Sequence, residues 1–298
     1  MIKLGIVDFD TSHVVQFTKR MNHINIEQDQ WVDGAQIVCG FKGTSMICDQ
    51  ARIDQYEKEM REMGVEVVEK PEDMIGKVDG VLIESVDGSV HLERATPFLK
   101  KKLPIYIDKP FATSLKDAKK MVEMAKKANV PIMSSSSLRF AVELVQAKND
   151  PAVGKVVGAN CYSPAPLHVR NPGLYHYGIH AVEPLFALMG PGLQVVWCVK
   201  QEGAEVVIGL WQDGRLGTIR GTRAGAHAYG FTVWGDKGVK QSSINPGLIY
   251  RELCKQIVTM FTTGKAPVDI QETLEIMAFI DAAMCSAKGN GKAVPIKI

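Results

Sequence analysis

The sequence lacks several things whose absence narrows its class. No uninterrupted apolar stretch in its 298 residues approaches the ~20 needed to cross a bilayer, so no membrane span is expected. It opens Met-Ile-Lys-Leu-Gly-Ile-Val and meets Asp8 and Asp10 too soon for a signal peptide, so the expected compartment is the cytoplasm. It has almost no net charge: 35 Lys and Arg against 33 Asp and Glu leave +2, and no global field favours nucleic acid. Its six cysteines form no Cys-x-x-Cys pair, which excludes zinc-finger and disulfide-framework spacings. What remains is 46% hydrophobic and 23% charged, the balance of a globular chain long enough for about two domains.

The first part of the chain alternates between strand-like and helix-like stretches. Apolar runs at Ile2–Val7, Ala35–Gly40, Val65–Val68, Gly80–Ile83, Pro104–Ile107 and Val130–Met133 read as buried strands. Helical patterns fall between them: one after Thr11 or Ser12, then Ile47–Met63, Ser89–Lys101, and one capped by Ser114 that runs to Ala128. This alternation predicts a doubly wound parallel sheet over residues 1–135. Over 136–298 the rhythm changes. Strand-like segments at Val153–Tyr162, Leu193–Lys200, Ala204–Trp211, Arg215–Gly221 and Ala226–Gly235 lie close together, with turn pairs such as Asp213-Gly214 between them. With helical patterns at Leu174–Leu188, Leu248–Thr262 and Gln271–Ala287, they predict an α+β domain on a mostly antiparallel sheet.

Open α/β sheets bind ligands beyond the carboxyl ends of their strands, which draws attention to three segments. The first is Asp8-Phe9-Asp10-Thr11-Ser12-His13, where a dinucleotide site has Gly-x-Gly-x-x-Gly and this chain has Asp8, Asp10 and His13. Carboxylates there oppose a diphosphate, and helix capping alone accounts for the loop. The second is Asp108-Lys109-Pro110, a lysine leaving a buried strand and held stiffly by the following proline. The third is His176-Tyr177-Gly178-Ile179-His180-Ala181-Val182-Glu183. On a helix, His176, His180 and Glu183 share a face as acid/base groups, as metal ligands, or as satisfied core residues.

Taken in order, these features resemble the glucose–fructose oxidoreductase / inositol dehydrogenase / MocA family across nearly the whole chain. Val78-Asp79-Gly80-Val81-Leu82-Ile83 with His91 resembles the family's fourth strand and following loop, and Asp108-Lys109-Pro110 its Glu-Lys-Pro signature. Arg139-Phe140 matches the pair that opens the linking helix. Gly178-x-His180-x-x-Glu183 resembles Gly-x-His-x-x-Asp, and Phe231-x-Val233-x-Gly235-x-x-Gly238 fits the closing pattern.

The resemblance implies a Rossmann domain, a nicotinamide cofactor, and hydride transfer to or from a sugar, polyol or related hydroxy compound. It makes His180 the base, with Lys109 stabilising the alkoxide. The family has aspartate four residues before that histidine, and here His176 stands there, sharing the proton or altering the mechanism. The expected cofactor-binding residues are Asp10, Thr11, Ser12, His13, Lys42, Ser85, His91, Lys109, Pro110 and Arg139. Substrate-binding residues are Lys109, Tyr162, His176 and His180, and no metal ligand is expected. Lys42 follows the second strand where an acidic residue would hold the ribose of NAD, so NAD and NADP both stay open. Family members commonly pair their sheet faces, and Val195, Trp197, Val207 and Trp211 suggest such a face and a homodimer or homotetramer. Two other functions stay open. One is a ligand-binding protein that has lost redox chemistry through its Asp8-x-Asp10 loop. The other is a metal-dependent lyase, isomerase or hydrolase using His176, His180 and Glu183.

Overall fold

Strand β1 (Ile2–Val7) carries apolar side chains to both faces and forms the centre of the first sheet. The structure, a computed structural model, describes residues 1–298. From β1 the chain runs through α1 (His13–Asn22), β2 (Ala35–Phe41), α2 (Gln50–Glu62), β3 (Glu66–Val68), β4 (Gly80–Ile83), α3 (His91–Lys100), β5 (Ile105–Ile107), α4 (Leu115–Ala128) and β6 (Ile132–Ser134). The sheet order is β3-β2-β1-β4-β5-β6, parallel throughout. Strand order reverses between β1 and β4, and their carboxyl ends form the crevice in which such folds bind ligands.

Local chemistry sets several boundaries. The Ser114 side chain accepts from the Asp117 amide and starts α4, while Asn129 ends it in a left-handed conformation. Asp49 accepts from the Arg52 amide, so α2 begins three residues later than the apolar pattern at Ile47 suggested. Ser12 precedes α1 in helical conformation and makes no side-chain cap; the Thr11 hydroxyl instead lies 3.4 Å from the His13 amide.

The chain then forms α5 (Val142–Lys148), β7 (Val156–Pro164), α6 (Ile179–Met189), β8 (Leu193–Lys200), β9 (Ala204–Trp211), β10 (Leu216–Thr222), β11 (Gly230–Gly235), β12 (Val239–Ser243), α7 (Ile249–Thr263), α8 (Ile270–Lys288) and β13 (Val294–Pro295). The second sheet has the order β12-β11-β7-β10-β9-β8-β13, with β7 and β10 parallel and the other pairs antiparallel. Its inner face, with Cys161, Ile219 and Val207, is buried. Helix α6 packs on β7 and β10, where Leu185 lies against Gly217.

Two compact units result: residues 1–135 with 250–270, and residues 136–249 with 271–298. The second domain expected over 136–298 is therefore interrupted. Most of α7 packs in the first unit, where Phe261 sits so close to Gly80 that a Cβ there would stand 2.3 Å from its ring. The helix expected over Leu174–Leu188 is likewise split. A short 3-10 turn covers Gly173–Tyr175, His176 follows it, and α6 starts only at Ile179. No helix is long and apolar enough to cross a membrane, and all six cysteines are free.

Candidate active site

In the first unit, the loop after β1 is tied down by its own carboxylates. Asp8 has a left-handed backbone (φ 66°) and is buried; its carboxylate accepts from the Ser85 hydroxyl and, at 2.8 Å, from Arg94 on α3. Burial pushes the Asp8 carboxyl above its usual range, although Arg94 and Ser85 pull the other way. Asp10 reaches from the β1 loop to the β4 loop, where it accepts from the Val86 amide at 3.0 Å. Burial raises its carboxyl to about 6, with the Ser45 hydrogen bond opposing. Phe9 is fully buried against Gly40, where any Cβ would strike the ring.

Three groups converge where β1, β4 and β5 end. His13 opens α1, Glu84 follows β4 and Asp108 follows β5; the Nδ1 of His13 lies 2.9 Å from Asp108 Oδ2 and 3.6 Å from Glu84 Oε2. Burial pushes Glu84 up to about 7; for Asp108 burial acts upward too, but the His13 charge prevails and holds it near 2. Sequence reasoning missed Glu84 because nothing local marks the residue after a strand as the neighbour of two others distant in sequence. Lys109, the next residue after Asp108, is largely buried, and the Lys109–Pro110 peptide is cis. His91 is fully buried with its ring nitrogens facing the carbonyls of Ser85 (2.8 Å) and Phe111 (3.2 Å). It thus braces the β4 loop against the segment after β5.

In the second unit, His180 lies on α6 with Nδ1 2.6 Å from the Ser136 hydroxyl, which also accepts from the Leu138 amide. Around it runs a chain of rings: Tyr177 at 4.7 Å and Tyr229 at 6.2 Å between centroids, with the two tyrosine hydroxyls 3.0 Å apart. His176 packs against His168 with the ring planes tilted by 35° and the centroids 5.2 Å apart. Tyr177 and Tyr229 were not among the expected site residues, although Tyr177 stands inside the histidine motif itself.

Two expected roles change. Arg139 bonds Glu183 at 3.1 Å and also Glu272, so it braces the turn at Ser137–Phe140 against α6 and α8. That brace engages Glu183, which removes it from the suggested His176–His180–Glu183 triad, as does the position of His176 outside α6. Tyr162 pairs in register with Arg220 and Gly230, on the sheet face opposite the Cys161 and Ile219 side that α6 covers. It is therefore not beside His180.

The first unit also holds features a dinucleotide requires. The first turn of α1 contains no acidic side chain, so its amides keep the positive end of the helix dipole. Thr11 and Ser12 are partly exposed, while Asp8 and Asp10 are turned inward and bonded. Beyond β2 and β3 lies a cleft of ≈ 280 Å³, lined by Lys42, Thr44, Glu57, Arg61, Glu69 and Arg94, of a size for an adenosine half. These residues fit the group, with Asp10 the one element of opposing charge. Lys42 is engaged by Asp54 (3.1 Å) and Glu57 (2.8 Å), so its charge is compensated.

Comparison with known proteins agrees with this geometry. Residues 17–136 match the family model described as an oxidoreductase family with an NAD-binding Rossmann fold. The myo-inositol 2-dehydrogenase of Thermotoga maritima is 28% identical over 209 residues, 61% of this chain and 62% of that protein. The rhizopine catabolism protein MocA of Rhizobium meliloti is 31% identical over 93 residues, 30% of this chain and 29% of its own length. The chain thus aligns with under two thirds of either relative. A structure of scyllo-inositol dehydrogenase from Lactobacillus casei, with bound NAD(H) and scyllo-inositol, superposes with a TM-score of 0.79. It covers 99% of both chains at 16% identity, a likeness of fold.

Proposed function

We propose that this chain, whose residues 17–136 match the model of an oxidoreductase family with an NAD-binding Rossmann fold, is a nicotinamide-dependent dehydrogenase or reductase of a polyol or sugar. The observation that carries the reading is the six-stranded sheet, of which β2 to β6 lie within the residues that the family model matches, with Asp108-Lys109-Pro110 closing β5 at its ligand-binding edge. Inositol-class substrates are the first choice because the Thermotoga maritima relative is a myo-inositol 2-dehydrogenase.

The bound nicotinamide would supply the hydride acceptor or donor. Amides of the α1 first turn, with Thr11 and Ser12, would hold the diphosphate, and the cleft beyond β2 and β3 the adenosine. We favour NAD over NADP, because Lys42 is already engaged by Asp54 and Glu57 rather than free for a 2′-phosphate, and Glu69 lines the cleft as an acceptor for ribose hydroxyls. His180 is the proton acceptor. In the tautomer whose Nδ1–H donates to Ser136 Oγ, Nε2 carries the lone pair a base requires. Lys109 stabilises the developing alkoxide with its ammonium charge. Tyr177, Tyr229 and the His168–His176 pair offer hydroxyls, ring nitrogens and ring faces of the kind a polyol requires. A homo-oligomer pairing the outer face of the second sheet completes the reading. We place the protein in the cytoplasm, with the free cysteines in support.

The first test is thermal unfolding with NAD⁺, NADH, NADP⁺ and NADPH in turn. A ligand at 100 times its dissociation constant stabilises by about 2.7 kcal/mol. Midpoints should rise with NAD⁺ or NADH well above any rise with the phosphorylated pair, and a polyol screen would follow NADH absorbance. Midpoints unmoved by all four would sink the redox reading. They would favour a ligand-binding protein, to which the Asp10 bridge across the β1 and β4 loops already points.

A further inference from the structure

We propose that His13, Glu84 and Asp108 form a binding site for a divalent cation of the zinc or manganese class, independent of any nucleotide. The three residues are separated by long stretches of sequence, yet the parallel sheet delivers all of them to one point. They occupy the ends of the adjacent strands β4 and β5 and the helix start that follows β1. Their relative exposures are 8%, 0% and 1%, and their donor atoms all lie within 4.8 Å of one another.

The spacing suits an ion. Tetrahedral bonds of ~2.0–2.1 Å place neighbouring donors roughly 3.3 Å apart. The separations of 2.9 Å and 3.6 Å from His13 Nδ1 to the two carboxylates bracket that value.

A second observation points to a missing ligand. Neither oxygen of Glu84 has a hydrogen-bond partner, nor does Asp108 Oδ1, although all three are buried. His13 Nδ1 stands 2.9 Å from Asp108 but out of line for a hydrogen bond. Buried carboxylates normally have such partners, and this chain supplies them elsewhere. Asp8 has Ser85 and Arg94 on its Oδ2, leaving only Oδ1 unpaired, and Glu183 has Arg139. At the His13 cluster carboxylate oxygens of two residues converge on an imidazole within ion-pair distance but with no aligned hydrogen bond between them.

One imidazole and two carboxylates are the donors of a zinc, manganese or iron(II) site; the nitrogen disfavours calcium, and the lack of sulfur disfavours copper(I). Carboxylates binding through one or both oxygens fill three to five positions, leaving room for a water or hydroxyl. The rival arrangement is metal-free, with a protonated His13 and the Lys109 ammonium as the only counter-charges.

The test uses the full chain, stripped with a chelator and re-equilibrated with Zn²⁺ or Mn²⁺ in parallel. Mn²⁺ guards against capture of zinc by the exposed Cys285. Metal content after desalting should reach one equivalent per chain, and the unfolding midpoint should rise with metal and fall back with chelator. Glu84→Gln and Asp108→Asn should each lose the midpoint response and weaken binding at least about tenfold. Should these variants fail to fold, Co²⁺ titration of the unaltered chain gives the same answer, through the visible bands of low-coordinate cobalt with nitrogen and oxygen ligands. Metal far below one equivalent, with a midpoint indifferent to chelator and a His13 ring that titrates as an imidazolium, would overturn the site in favour of the metal-free cluster.

Discussion

Single residues decide most of the chemistry proposed. If His180 is the base, His180→Asn should lower kcat by roughly 10²–10⁴-fold while leaving KM for the polyol within a few fold. A parallel rise in KM without loss of kcat would instead assign it to binding. Asp10 carries a separate, pH-dependent expectation. Its carboxyl is raised from 3.8 to about 6, so between these values the folded state holds a proton the unfolded state has released. Stability must therefore fall as pH rises through that window, by roughly 3 kcal/mol for about two pKa units. Asp8, Arg94 and Cys48 are the other titratable groups that feel this charge. Asp10→Asn keeps an oxygen for the Val86 amide and removes the charge. It should raise the unfolding midpoint at pH 8, leave it nearly unchanged near pH 4, and tighten NAD⁺ binding at neutral pH. An equal midpoint difference at both pH values would show that the effect is not the carboxylate's ionisation. The substituted glycine positions were visible in the sequence; the direction each carboxylate turned was not, because the Ser85, Arg94 and Val86 partners lie about 75 to 85 residues away.

At the scale of elements, the first sheet was readable because each strand is an apolar run bounded by a helix with its own cap, as with Ser114 and α4. Strands β8 and β9 matched their apolar patterns residue for residue. What escaped was β12, polar along Lys240-Gln241-Ser242-Ser243, and the two-residue β13, neither of which carries an apolar period. Helix α7 was recognised, but its membership in the first unit was not, since amphipathicity says that a face is buried and not against what. Arg139 shows the same limit. Its Arg-Phe motif suggested a cofactor ligand, whereas Arg139 joins a 3-10 turn to two helices through the buried Glu183 and the partly exposed Glu272. Arg139→Met would strand Glu183, and breaking a buried pair of this kind costs about 3–5 kcal/mol. Urea unfolding followed by circular dichroism should show a clear drop in midpoint, and Arg139→Met with Glu183→Gln should recover part of it. A single variant as stable as the parent would mean that the brace carries no net stability.

For the whole molecule, the outstanding question is what covers the outer face of the second sheet. The sequence reading chose Val195, Trp197, Val207 and Trp211, but Val207 and Trp211 turn inward and are buried, because alternation puts them on the face that packs with α6 and α8. Register identifies the true outer row. Val206 pairs with Val199, Ile208 with Trp197, and Leu216 with Leu210 and Gly158; Gly158 in turn pairs with Trp234. Within it, Val199 is 65% exposed, Leu216 54% and Trp234 41%. Four strands therefore present apolar side chains on this surface, with Gly158 of β7 lying between Leu216 and Trp234, and monomers rarely expose so contiguous a patch. A second copy of the chain is the occupant the family resemblance implies, and a stable pairing needs about 800 Å² from each partner. Ile208→Glu with Leu216→Lys places charges at the middle of that row without touching the inner face. Light scattering after gel filtration should give a dimer or tetramer for the parent and the monomer mass for the double variant, with the far-ultraviolet spectrum unchanged. A parent that already runs as a monomer, or a double variant that keeps the parental mass, would mean that the face is not the interface and that its apolar row is tolerated in water.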